Sequence, residues 1–110
     1  MKLVHITFIT NRLKNDFESL NRGRYEDVRL YNEILKAKDV LRQDPFKGVK
    51  VQRKLWPKYY VQKYQITNLW KYDLPGYWRL IYTIEANEVM VMNIILEWLD
   101  HKGYEKRFGY

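Results

Sequence analysis

Residues 69–74 and 78–84 are apolar stretches punctuated by Lys71, Asp73, Arg79 and Thr83, and they are separated at Pro75-Gly76. The flanks are rich in aromatic and branched residues, as strands are. Proline presets φ at the first turn position and glycine accepts the positive φ of the second, so the segment predicts a β-hairpin. A two-residue loop would pair Tyr72 with Arg79 and turn Lys71 to the other face. A three-residue loop that includes Tyr77 gathers Lys71, Asp73, Arg79 and Thr83 on one face. It leaves Trp70, Tyr72, Leu74, Trp78, Leu80, Tyr82 and Ile84 on the other. A sheet with one buried face needs that separation, so the three-residue loop is expected. Lys71 and Arg79, charges within apolar strands, require a face that is solvated or useful.

Residues 3–10 alternate as a strand, with Leu3, His5, Thr7 and Ile9 opposite Val4, Ile6 and Phe8. Asn15 or Asp16 is a candidate cap for a short helix through Phe17 and Leu20, ended by Gly23. Residues 26–42 give the strongest helical signal. Leu30, Ile34, Ala37 and Leu41 recur on one stripe, with Tyr31 on its flank. Asp44-Pro45 ends that helix, because the residue before proline avoids the α region. Residues 85–88 form a second tight turn, with Asn87 able to adopt a left-handed conformation. The next strand spans residues 89–98. Met90, Met92, Ile94, Leu96 and Trp98 are assigned to its core face, and Asn93 and Glu97 to the opposite one. Leu30, Ile34 and Leu41 are expected to pack on a sheet face that includes Trp70, Leu80, Tyr82, Met92 and Ile94. The tail from residue 100 is polar and basic, with His101, Tyr104 and Arg107 close together.

The segment 47–63 breaks this regularity. It contains Lys47, Lys50, Arg53, Lys54, Lys58 and Lys63, with no acidic residue, and Trp56, Tyr59 and Tyr60 lie among them. Cations interleaved with rings suit a nucleic acid, supplying charge for phosphate and platforms for unstacked bases. The alternative is a solvated connector whose aromatics cap the core. Pro57 suits the opening of a single helical turn through Val61.

Composition narrows the classes. The length of 110 residues accommodates one domain, residues 1–110, with one core. A net charge of +7 points to a polyanionic partner, nucleic acid first and an acidic protein or membrane surface second. The absence of cysteine excludes a disulfide framework and Cys-ligated zinc. No apolar run approaches the ~18 residues of a membrane span, and the N-terminus lacks the form of a signal peptide. A cytoplasmic location without membrane association is therefore expected. No dinucleotide fingerprint, P-loop or histidine pair at ligand spacing occurs, so no metal or cofactor is expected. Ser19 is the only serine and falls in a helix, which leaves no credible serine or cysteine nucleophile.

Three stretches then combine: Asp-Pro-Phe-Lys-Gly at 44–48, Gly-Tyr-Trp-Arg-Leu-Ile-Tyr at 76–82, and His-Lys-Gly-Tyr-Glu-Lys-Arg-Phe at 101–108. In this order, with a first strand and a helix pair ahead of them, the chain resembles the RelE/ParE superfamily of bacterial and archaeal type II toxins. The resemblance is firmest from residue 68 onward and loosest over 49–67, which reads as an insertion. It implies an α+β fold: an N-terminal strand and helical hairpin packed on a twisted antiparallel sheet of about four strands.

The resemblance further implies ribosome-dependent mRNA cleavage in the RelE-like branch, gyrase inhibition in the ParE-like branch, and neutralisation by a cognate antitoxin in a hetero-oligomer. An inactive toxin-fold binding protein is the third possibility. Arg79 and Lys71 match the family's strand cations, and His101 and Tyr104 match its polar tail positions. Lys50, Arg53, Lys54, Lys58 and Arg107 are the candidate RNA-binding cations. The chemistry would be metal-independent. A 2′-hydroxyl attacks the adjacent phosphate while Arg79 and Lys71 stabilise charge, and His101, the first choice of acid or base by residue type, moves a proton. Tyr104 is the alternative acid or a stacking platform. Asp73 stands where some members have a second lysine, which weakens the phosphate-binding charge or pairs with Arg79. The competing reading of Arg79 is an ion pair with Asp73 or Glu97 that serves only the sheet. The competing reading of His101 is an exposed tail residue.

Overall fold

The computed structural model describes residues 2–109 and is an α+β fold. Strand β1 (Leu3–Phe8) leads into helices α1 (Asn11–Leu20) and α2 (Tyr25–Gln43). A short strand β2 (Val49–Lys50), a 3-10 turn (Arg53–Leu55) and helix α3 (Lys58–Tyr64) follow. Then come β3 (Trp70–Leu74), β4 (Trp78–Ala86), β5 (Met90–Leu99) and the C-terminal helix α4 (His101–Phe108). One five-stranded sheet has the order β1-β5-β4-β3-β2. The sheet is mixed: β1 runs parallel to β5, while the other pairs are antiparallel. This corrects the expected all-antiparallel sheet of about four strands. A parallel partner is reached only by a long crossover, here the α1–α2 pair and everything after it, and alternation within a strand is silent on its neighbour's direction.

The hairpin has the three-residue loop. Asp73 lies opposite Arg79 and Leu74 opposite Trp78. Gly76 has φ 77° and Tyr77 has φ 65°, so the loop needs two consecutive left-handed residues. The helix caps differ from expectation. Thr10, not Asn15 or Asp16, caps α1 by accepting from Leu13 N at 3.0 Å. Asn87 does not take a left-handed conformation. Its Oδ1 instead accepts from Val89 N and Met90 N at 2.9 and 2.8 Å and closes the turn.

Two cores lie on opposite faces of the sheet. Leu30, Ile34, Ala37 and Leu41 of α2 and Phe17 of α1 pack against Leu74, Leu80, Tyr82, Ile84, Val91 and Ile95. The other face, which the sequence assigned to solvent, is covered. Val51, Tyr60 of α3 and Tyr104 of α4 bury Leu69, Ile81, Ile94 and Leu96 there.

A bulge sorts β5 between the cores. Ile81 faces Glu97 and Tyr82 faces Ile95, which leaves Leu96 unopposed. The extra residue reverses the alternation. Met92, Ile94 and Leu96 therefore serve the α3/α4 core, whereas Ile95 and Trp98 serve the helix-pair core. The single core face read from Met90 to Trp98 is thus divided. Asn93, expected on the polar face, is fully buried and donates to the Pro45 carbonyl at 3.1 Å.

Tyr82 fastens the start of β2. Its hydroxyl accepts from Gly48 N at 3.2 Å, and a Cβ on Gly48 would collide with that hydroxyl and with the Lys71 carbonyl. Burial pushes the Tyr82 phenol up to about 12, against a partial offset from the Gly48 hydrogen bond. An unfolded tyrosine ionises near pH 10. Tyr82's stabilising contribution is therefore intact below pH 10 and is lost as pH rises from 10 to about 12. Thermal melts should show Tm falling across that window more steeply in wild type than in Tyr82→Phe. Parallel curves would exclude Tyr82 as a source of the alkaline transition.

Candidate functional site

The site forms where β3, β4 and α4 meet, on the α3/α4 face. Alternation along β3 and β4 points Lys71, Asp73 and Arg79 to this face, and the odd loop brings Asp73 opposite Arg79. Helix α4 supplies the cover. Asp100 caps it, accepting from Gly103 N at 2.7 Å, and Gly109 ends it with φ 77°. This cap fixes the phase of the helix, so Tyr104 points down onto the sheet and is buried, stacked on Phe108 at 4.5 Å.

Both strand cations converge on Tyr104. The Lys71 Nζ lies 5.3 Å from the ring centroid and the Arg79 guanidinium carbon 5.1 Å. Each is within cation–π range, and partial desolvation strengthens such contacts. Asp73 ties the two together: its Oδ1 is 3.3 Å from Arg79 Nε and 3.9 Å from Lys71 Nζ. The contact with Nε is electrostatic, because that atom is buried without an aligned hydrogen-bond partner among the described residues. The side chain of Arg79 is 17% exposed and that of Asp73 63%. Arg79 is therefore held in place, while the carboxylate is free to swing into water.

Tyr77 links this cluster to His101. Arg79 Nη1 donates to the Tyr77 carbonyl at 2.7 Å, and the Tyr77 ring stands edge-on to His101 at 6.3 Å. Tyr77 is 75% exposed and sits in the left-handed region, a backbone strain of about 1–2 kcal/mol for a residue with a side chain. His101 Nε2 lies 2.9 Å from Glu105 Oε1 one turn along α4. Of the predicted site residues, Lys71 and Arg79 thus meet at Tyr104, and His101 is linked to them through Tyr77. Sequence reasoning placed Tyr77 in the loop but missed it as a site residue. Its signal was the three-residue loop, whose last position commonly takes the left-handed conformation.

The predicted RNA-binding cations divide into two groups. Lys50, Arg53 and Lys54 line the β2 edge and the turn beyond it, where Arg53 sits over Trp56 at 5.7 Å. Lys58 opens α3. Arg107 is already engaged: it pairs with both carboxylate oxygens of Glu97, at 3.0 and 3.4 Å, and stacks on Tyr59 at 3.8 Å. Glu97 is therefore neutralised by α4 rather than by Arg79. No helix among the described residues is long and apolar enough to cross a membrane. No protein-family model, curated protein or solved structure matches the chain.

Proposed function

We propose that the chain is the toxin of a type II toxin–antitoxin pair, a cytoplasmic RelE-like endoribonuclease that cuts mRNA on the ribosome. The observation behind this reading is the convergence of Lys71 and Arg79 on Tyr104 beside Tyr77 and His101. Cleavage by an internal 2′-hydroxyl needs cations for the phosphorane charge and a proton carrier on each side of the phosphate. Arg79 is the charge stabiliser, preorganised by Tyr77 and Tyr104. His101, on the exposed flank of α4, is the acid for the leaving 5′-oxygen, and the proton of the attacking 2′-hydroxyl passes to solvent water. The placement of α1 and α2 on one face only, with the cations on the other, agrees with the family resemblance in the sequence.

One observation favours the alternatives, a ParE-like gyrase inhibitor or an inactive binding protein. Asp73 occupies the space between the two cations where a phosphate would sit. Under the nuclease reading the carboxylate swings out as RNA arrives. Asp73→Asn should then bind an uncleavable RNA about ten-fold more tightly at low salt, since one anion no longer opposes the phosphate. Its stability should change by less than ~1 kcal/mol, as expected for a pair with an exposed member. Weaker binding by Asp73→Asn would mean that the carboxylate holds the cations in position.

End-group analysis tests the reaction type. Fragments of mRNA from translating ribosomes treated with the protein should carry a 5′-hydroxyl and a 2′,3′-cyclic phosphate or its 3′-phosphate product. Ends with a 5′-phosphate would exclude attack by the 2′-hydroxyl.

A further inference from the structure

The loosely matching segment 49–67 builds α3 and sets it beside α4. Between them lies a groove of about 420 Å³, within the range of small-ligand sites. Its floor is apolar, from Pro57 and Leu99, one wall is Tyr59, and the ionisable side chains along it are Lys58, Lys106 and Arg107. Among the described residues no carboxylate lines it. The nearby Glu97 is held by Arg107. Tyr59 is fixed from two sides, with Arg107 stacked at 3.8 Å and Lys63 donating to its hydroxyl at 2.8 Å. Lys58 and Lys106 are exposed at the rim, and among the described residues no ion pair within 4.0 Å involves either one. An apolar floor, an aromatic wall and a purely cationic rim complement a planar base joined to a phosphate. Leu99 also pairs with Arg79 across the sheet, so the groove adjoins the cation cluster through one residue.

We infer that the α3/α4 groove is a second nucleotide site, seating a nucleotide of the same single RNA strand that crosses the Arg79 cluster. Lys58 and Lys106 hold its phosphates and the Pro57–Tyr59–Leu99 surface takes the base. The choice of RNA as occupant rests on the reading above, and the site adds a handhold that does not take part in the chemistry. It also gives the 49–67 segment a role beyond covering the second core.

Fluorescence anisotropy with a short, labelled, fully 2′-O-methylated RNA measures this binding without cleavage. The Lys58→Ala/Lys106→Ala double variant should bind roughly ten-fold more weakly, with a log–log salt slope reduced by about 1.4 for two lost phosphate contacts on a single strand. The Lys14→Ala/Lys36→Ala control removes the same charge from exposed positions on α1 and α2 and should bind like wild type. Equal behaviour of the two double variants would overturn the inference, whether both weaken or neither does. Uridine 5′-monophosphate competing as well as the unlabelled oligonucleotide would also overturn it, in favour of a free nucleotide. Selective weakening of the groove variant, with wild type leaving ribosomal mRNA whole, would support the groove and defeat the nuclease reading separately.

Discussion

Tyr60→Ala should lower stability by about 3–5 kcal/mol, the range for removing a large aromatic side chain from a packed core. Tyr60 is 0% exposed and lies in the core formed by α3, α4 and the second sheet face, near Ile81, Leu96 and Tyr104. Its ring also meets Phe108 at 6.1 Å and Tyr59 at 5.6 Å. Truncation would leave α3 without its single buried residue and loosen α4 with it. For a domain of this size the expected fall in Tm is roughly 15 °C or more. The hydroxyl lies beside the Glu97–Arg107 pair, yet it has no aligned hydrogen-bond partner among the described residues. Burial pushes the phenol well above its ordinary pKa, with Glu97 adding to the effect. Tyr60→Phe should therefore stay within about 1 kcal/mol of wild type. A small loss in Tyr60→Ala would mean that the second face is not a cooperative part of the fold.

Arg79→Ala should reduce mRNA cleavage by on the order of 100-fold or more, as loss of a preorganised charge stabiliser does. Its stability effect should be smaller, about 1 kcal/mol. The side chain is more buried than a purely solvent-facing strand residue, and it touches Tyr104 and the Tyr77 carbonyl. Truncation therefore has a packing component, though no apolar core residue is removed. Arg79→Lys keeps the charge and loses the planar fork that spans Tyr77, Asp73 and Tyr104, so partial recovery is expected. Thermal melts alongside cleavage assays separate the roles. Full activity in folded Arg79→Ala would remove the arginine from the chemistry. Global unfolding of Arg79→Ala would make its contacts with Asp73 and Tyr77 structural.

The hairpin register was legible because two apolar strands, three loop residues and two internal charges admit one tidy separation of faces. The α2 stripe was legible because Leu30, Ile34, Ala37 and Leu41 repeat at helical spacing. The second core was not. Ile81 lies between Arg79 and Thr83 on the face read as polar, and its burial depends on Tyr60 and Tyr104 arriving from segments with weak periodicity. The β5 bulge was hidden because Ile94, Ile95 and Leu96 are all apolar, so an added residue leaves no trace in the pattern. Helix α4 spans only eight residues, too few for a periodic signal, and Asp100 as its cap was the overlooked cue. At the site, Lys71, Arg79, His101 and Tyr104 were all legible as candidates. The convergence of Lys71 and Arg79 on the Tyr104 ring depends on the helix phase that Asp100 sets.

Under the proposed function, the surface joining Lys71, Arg79, Tyr104 and His101 cuts mRNA on the ribosome. Primer extension on an mRNA under translation, with wild type and folded Arg79→Ala compared at equal concentration, tests it most directly. Wild type should cleave at discrete positions within the translated region, and this cleavage should nearly disappear in Arg79→Ala. Intact mRNA with wild type, together with blocked supercoiling by gyrase in a parallel reaction, would contradict it and favour the ParE-like alternative.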